Sequence, residues 1–324
     1  MRLTFLALAS LFLAAACAST ASSTGTGTGA TKTGDTTSSA DVAASSDVPS
    51  ATPDIATGPQ PAALKPYAGT CPTFVAGANA FDTGGFTRNL RVSLPPDPKN
   101  AAVLFIWHGL GDTAANMGNF FGADALAAKY NAIVIVPDGC CNSTGTQGCC
   151  SQITGWGFAA KPEPDVAIFD DALSCLDQQF GIDRTRVYTT GFSAGSLWST
   201  WLLMNRSDYL AAVAIFSGGV NSFLEYVTPT YKMPVLAVSG KEDDVFGGGL
   251  VDFYTSMNDL TTALRKDGHF VIRCIHDAGG HTVPFGGPAW AAKFLFKHTW
   301  KDGASPYQTD GLGSDFPAYC TIAP

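Results

Sequence analysis

Ser193 stands in Gly191-Phe192-Ser193-Ala194-Gly195, with the β-rich run Arg186 to Thr190 before it and a helix-forming run after it. A serine at a sharp strand-to-helix turn projects its hydroxyl above a sheet, and flanking glycines let neighbouring backbone pass close by. That is the geometry of a nucleophile. The bare pattern arises readily by chance in a chain with 35 glycines, so its flanks and its downstream partners carry the reading.

A serine hydroxyl is a poor nucleophile near neutrality and needs a base, which in turn needs an orienting acid. His281 lies in Ala278-Gly279-Gly280-His281-Thr282, a glycine loop after a strand that ends near Ile275, and is assigned as the base. His276, the nearest competitor, directly continues that strand. His269 begins a strand, and His298 ends a helix, where a cation is favourable. For the acid, Gly240-Lys241-Glu242-Asp243-Asp244-Val245 follows an apolar strand; Asp243 is the first choice and Asp244 the second. The chain order Ser193, Asp243, His281 is that of α/β-hydrolases and differs from the orders in unrelated serine proteases. Two backbone donors must also hold a tetrahedral oxyanion. The N–H of Ala194 at the start of the helix is one, and the N–H of Leu110 in the His108-Gly109-Leu110 loop is the other, with His108 itself structural.

The elements needed to bring these residues together are legible around them. Thr87 to Leu94 alternates apolar and polar residues as an edge or antiparallel strand does. Ala101 to Trp107 and Ala132 to Pro137 are continuous apolar runs separated by a helix around Ala123 to Tyr130, as in a parallel sheet covered on both faces. Asp165 to Phe180 keeps Val166, Phe169, Leu173, Leu176 and Phe180 on one helical face. Strands at Leu210 to Phe216, Pro234 to Ser239 and His269 to Ile275 follow, interleaved with helices from about Val251 to Leu264 and from Pro288 to His298. The expected fold is α/β: a doubly wound, mostly parallel sheet with helices on both faces and its site at the carboxyl ends of the strands.

Composition narrows the class. The chain has 324 residues, 46% hydrophobic and 14% charged, which is globular composition. Its net charge of −8 and singly scattered Lys and Arg exclude a nucleic-acid binder. Residues 1–17 read as an export signal, a short basic start followed by an apolar run too short to span a bilayer. Ala14-Ala15-Ala16-Cys17 resembles a lipoprotein box, which would make Cys17 a lipid anchor and the only membrane attachment; cleavage after Ala18 is the alternative. Residues 18–61 are Ser/Thr/Ala/Gly-rich and read as a flexible tether, leaving 62–324 as one catalytic domain. Without Cys17 eight cysteines remain, an even number suited to an oxidising, extracellular or cell-surface location.

Together, His108-Gly109-Leu110-Gly111-Asp112, Pro137-Asp138-Gly139, Gly191 to Gly195, Gly240 to Val245 and Gly279-Gly280-His281-Thr282 resemble the secreted esterase family that includes feruloyl esterases and polyhydroxybutyrate depolymerases. The resemblance spans roughly Cys71 to His298. It implies the α/β-hydrolase fold and ester hydrolysis through an acyl-serine without metal or organic cofactor. The substrates it implies are feruloyl or acetyl esters of plant polysaccharide, or alternatively a short polyester. Family members carry Trp after the His-Thr pair, whereas Val283-Pro284 stands here, so Trp156 is the candidate wall for an aromatic acyl group. Cys140-Cys141 and Cys149-Cys150 have spacing better suited to disulfides than to zinc, with Cys175 and Cys274 as further partners, and Cys71 with Cys320 is the expected clasp between the domain's ends. Two rivals remain: a peptidase of the prolyl-oligopeptidase kind, for whose usual propeller there is no room, and a tethered, non-catalytic binding protein on the same fold.

Overall fold

The computed structural model describes residues 60–139, 156–157, 165–301 and 303–324. The export signal, Cys17, nearly all of the tether and the four clustered cysteines at 140, 141, 149 and 150 lie outside those residues. The first half of the chain runs β1 (Gly77–Thr83), β2 (Phe86–Ser93), β3 (Ala102–Trp107), α1 (Ala114–Phe121), α2 (Ala123–Tyr130), β4 (Ala132–Pro137) and α3 (Asp165–Phe180). The second half runs β5 (Val187–Phe192), α4 (Ala194–Asn205), β6 (Ala212–Phe216), β7 (Val235–Ser239), the short hairpin β8 (Val245–Phe246) and β9 (Val251–Asp252), α5 (Phe253–Lys266), β10 (Val271–Ile275), α6 (Gly287–Phe296) and β11 (Cys320–Ile322).

Nine of these strands form one sheet in the order β1-β2-β4-β3-β5-β6-β7-β10-β11. The central run from β4 to β10 is parallel, and β1, β2 and β11 are antiparallel additions at its edges. Period-two alternation along β3 sends Val103, Phe105 and Trp107 into one core with α3, α4 and α5, and Ala102, Leu104 and Ile106 into the other with α1, α2 and α6. Both faces of the sheet are therefore dry. This explains why the central strands read as unbroken apolar runs.

From β3 the chain moves outward to β4 and then returns to β3's other side as β5. The loops leaving β3 and β5 consequently diverge, which opens a crevice at the carboxyl ends of those two strands. Both the serine turn and the His108-Gly109-Leu110 loop issue from that point.

The elements not legible in the sequence are β1, α1, β11 and the β8–β9 hairpin, whose second strand takes Val251–Asp252 from the start of the expected helix. In β1, Gly-Ala-Asn-Ala-Phe-Asp-Thr has weak strand propensity and is held by its full ladder to β2. Helix α1 contains Asn116 and Gly118, poor helix formers, and is secured by Thr113, whose hydroxyl accepts the N–H of Asn116.

The disulfides are Cys71–Cys175 and Cys274–Cys320, so the expected clasp of Cys71 with Cys320 is corrected. Cys320 sits opposite Cys274 in the antiparallel β10–β11 ladder. Cys71 instead lies along α3, where Gln179 bonds both the N–H and the carbonyl of Phe74.

His298 is also corrected. It is buried rather than a solvated helix-end cation: its Nδ1–H donates to the Phe294 carbonyl and its Nε2 accepts from Ser305, and burial pushes its pKa down to about 4.

Two outcomes follow. Cys71–Cys175 closes a separation of 104 residues, so the double variant Cys71→Ala/Cys175→Ala loses about 4 kcal/mol in denaturant unfolding; an unchanged midpoint contradicts the assignment. Because His298 takes a proton in the unfolded chain near its reference value of 6.5 but in the folded chain only near 4, stability drains away as pH falls between those values. The contribution is on the order of 3 kcal/mol, so His298→Gln flattens that slope relative to the parent, and parallel slopes would refute it.

Candidate active site

The serine turn is built by backbone crowding. A side-chain carbon on Gly195 would sit 2.1 Å from the Trp107 carbonyl oxygen and 2.6 Å from that of His108, and one on Gly191 would sit 2.5 Å from the Gly195 oxygen. Only glycine lets the first turn of α4 press against the end of β3 this closely. Between the two glycines Ser193 takes φ 57° and ψ −121°, a region that L-residues rarely adopt. The strained residue is pinned by its N–H to the Phe216 carbonyl at 3.1 Å, while its own carbonyl accepts from Ser196 and Leu197 at 2.9 Å.

The loop after β3 runs directly alongside. A carbon built on Gly109 would lie 3.5 Å from the Ser193 Cβ. Leu110 follows it, and Ala194 opens α4, where the first N–H groups have no intrahelical acceptor. Among the described residues no backbone carbonyl takes the N–H of Leu110 or of Ala194. Both N–H groups are therefore without a main-chain acceptor next to the serine turn.

His108 is structural, as expected. Its Nε2 accepts the Gly139 N–H at 2.7 Å, so the proton resides on Nδ1, 2.7 Å from the Gly109 carbonyl, and burial lowers its pKa and keeps it neutral.

Trp156 is not a substrate wall. It is 0% exposed, packs edge-on to Trp107 at 5.0 Å and donates its indole N–H to the His108 carbonyl at 2.9 Å. A fully buried indole offers no face to a ligand. It supports the loop from beneath, and its neighbour Gly157 donates to Asp165, which is paired with Arg88 at 2.8 Å.

On the base's side, His281 Nδ1 lies 2.7 Å from Asp244 Oδ1, so Asp244 and not Asp243 orients the imidazole. Asp244 is 0% exposed, and its other oxygen accepts from the Ser217 hydroxyl and the Gly240 N–H, each at 2.8 Å. Asp243 turns outward and takes the Gly280 N–H at 2.7 Å, bracing the histidine loop. The two differ because the turn closed by the Asp244 N–H on the Lys241 carbonyl points residue 244 inward and residue 243 to solvent. Neighbouring carboxylates in one acidic turn cannot be told apart by residue type. His276, the competing histidine, is buried, accepts the Ala278 N–H at 3.3 Å and has its pKa lowered by burial.

Two aromatic rings missed in the sequence complete the site. Phe192 lies near-parallel to the His281 imidazole at 4.6 Å, and Phe253 does so at 4.5 Å. Phe192 packs with one core and Phe253 belongs to the other, so the imidazole is held between them. Because Phe192 immediately precedes Ser193, this stacking sets the imidazole beside the residue next to that serine. The variable position of Gly-x-Ser-x-Gly was its only sequence signal. With Nδ1 committed to Asp244, Nε2 is buried and has no acceptor or donor among the described residues. It is the nitrogen able to accept a hydroxyl proton.

No family model matches the chain. It is 29% identical to feruloyl esterase D of Neurospora crassa over 148 residues, 41% of this chain and 46% of that protein. It is 26% identical to probable feruloyl esterase C of Aspergillus niger over 168 residues, 49% of this chain and 56% of that protein. The chain thus spans about half the length of the curated relatives it matches. Among solved structures, native sOPH superposes with a TM-score of 0.65 at 18% identity, covering 80% of this chain and 97% of sOPH. Native pOPH does so with a TM-score of 0.63 at 20% identity, covering 81% and 98%.

The two carboxylates are separable by experiment. Asp244→Asn is expected to slow labelling of Ser193 by a fluorophosphonate about 10⁴-fold, the scale of losing the orienting acid, whereas Asp243→Asn costs about tenfold or less. The reverse order would return the role to Asp243.

Proposed function

We propose that this chain, which has the α/β-hydrolase fold and is related in sequence to feruloyl esterases, hydrolyses carboxylic esters through an acyl-serine intermediate. The observation that carries the reading is the His281 imidazole fixed by Asp244 on one nitrogen, stacked on Phe192 and free on the other. Ser193 Oγ attacks the ester carbonyl carbon as its proton passes to His281 Nε2. The oxygen that becomes negative is held by the N–H groups of Leu110 and Ala194, aided by the positive end of α4. Collapse of the tetrahedral species breaks the bond to the alcohol, which leaves with the proton from Nε2. Water then repeats the cycle, releasing the carboxylic acid and restoring the serine. Asp244 stays ionised and stabilises the imidazolium in both halves.

Feruloyl or acetyl esters of plant polysaccharide are the proposed substrates. Support comes from the relatives' names and from apolar side chains near the reacting groups, since Trp156 is unavailable. Phe246 is 41% exposed with its ring 6.3 Å from His281, and Leu110 is 42% exposed beside the serine. They offer an aromatic acyl group an apolar wall. No step calls on a metal or organic cofactor. The two disulfides support action in an oxidising compartment outside the cytosol, and lipid attachment at Cys17 is the proposed tether.

Ser193→Ala is expected to lower methyl ferulate hydrolysis by a factor on the order of 10⁶ with the circular dichroism spectrum intact; undiminished turnover would sink the mechanism. Across methyl ferulate, acetylated xylan and polyhydroxybutyrate, the first two are the expected substrates, and turnover confined to the polyester would replace the substrate class while leaving the chemistry.

A further inference from the structure

Arg273, on β10, is buried at 6% exposure. Its acceptors among the described residues are all uncharged: the Ser239 hydroxyl at 2.6 Å, the Asn258 carbonyl oxygen at 3.1 and 3.2 Å, and the main-chain carbonyls of Cys274 at 2.8 Å and Ala237 at 3.4 Å. A buried cation without a carboxylate in contact is costly, and structures retain few of them. Burial pulls its pKa down to about 10, opposed by Tyr254 and Asp244, so it remains charged at neutral pH. Its link to the site is short. The Ser239 hydroxyl that accepts from Arg273 donates to the Gly240 carbonyl at 2.9 Å, and the Gly240 N–H donates to Asp244.

We infer that Arg273 is a positioning residue, a buried counter-charge that fixes the Gly240 turn and keeps the Asp244–His281 pair from gaining a proton. The pair and Arg273 form one hydrogen-bonded unit through Ser239 and Gly240. Among the described residues, the other titratable groups acting on this unit are Tyr254 from α5, and His276 and Asp243 from the adjoining loops. Removing the positive charge favours every state of the pair that carries an extra proton, whichever member binds it. The base is then lost at a higher pH. Arg273 thereby extends the working range of the catalytic pair toward acid. This role rests on the proposed ester hydrolysis only for its meaning; the electrostatics can be measured without turnover.

The full chain is titrated by NMR, following the His281 Cε1–H resonance, assigned by its loss in His281→Gln. Arg273→Gln is expected to raise the midpoint by about one pH unit, while Arg273→Lys, which keeps the charge, leaves it in place. Asn258→Asp puts a carboxylate against the guanidinium at an almost unchanged shape, cancels its field and is expected to move the midpoint the same way. Should Arg273→Gln fail to fold, Asn258→Asp carries the test alone. The acid limb of kcat/KM moves with the midpoint in each variant. Unmoved midpoints in folded Arg273→Gln and Asn258→Asp overturn the inference and reduce Arg273 to scaffolding. A parent without esterase activity whose midpoint still shifts would instead retire the reaction and keep the electrostatic role.

Discussion

The site depends on two stretches of main chain passing where no side chain fits. Helix α4 starts so close to the end of β3 that Gly191 and Gly195 are fixed by contact with carbonyl oxygens. That closeness forces the intervening serine into a conformation costing about 1–3 kcal/mol, which the packing of α4 between sheet and solvent offsets. The same closeness brings Gly109 against the serine, so the serine turn and the loop after β3 share one constraint. The sheet order contributes the rest: the chain leaves β3 in one direction and returns on its other side, which puts both loops at the point where the layer opens.

Around that point, buried polar groups are arranged so that few of them need a charge. His108 is kept neutral by burial, with each nitrogen bonded to backbone. Its carbonyl is held by Trp156, and Gly157 beside it reaches Asp165 and, through that carboxylate, Arg88. Burial raises the Asp165 pKa even with Arg88 beside it. Asp244 is handled differently, with a donor at every oxygen and a guanidinium within its field.

What could be seen in the sequence followed the backbone. Ser193 and His281 were legible because glycines flank both, and glycine records where a chain must turn or pass close. The central strands were legible because burial on both faces leaves unbroken apolar runs. Features decided by direction rather than type were not. Asp243 and Asp244 are identical side chains, and only the turn at Lys241 sends the second inward. Trp156 looked like a wall because an aromatic near a glycine loop is ambiguous until its burial is known. Cys71 and Cys320 bracket the domain in sequence, yet ladder register gives Cys320 to Cys274 and leaves Cys71 beside α3. The rings of Phe192 and Phe253 come from opposite cores, and no local pattern links them.

Those two rings have a consequence for the order of events. An imidazole gripped on both faces cannot rotate to offer its second nitrogen, which Asp244 holds in any case. Under the proposed acyl-serine mechanism, the departing alcohol and the arriving water would therefore use one docking spot in succession. An alcohol supplied in excess would then stand where water should and compete for the acyl group. In that mechanism the clamp that steadies the imidazole also leaves the choice of acyl acceptor to occupancy of one spot.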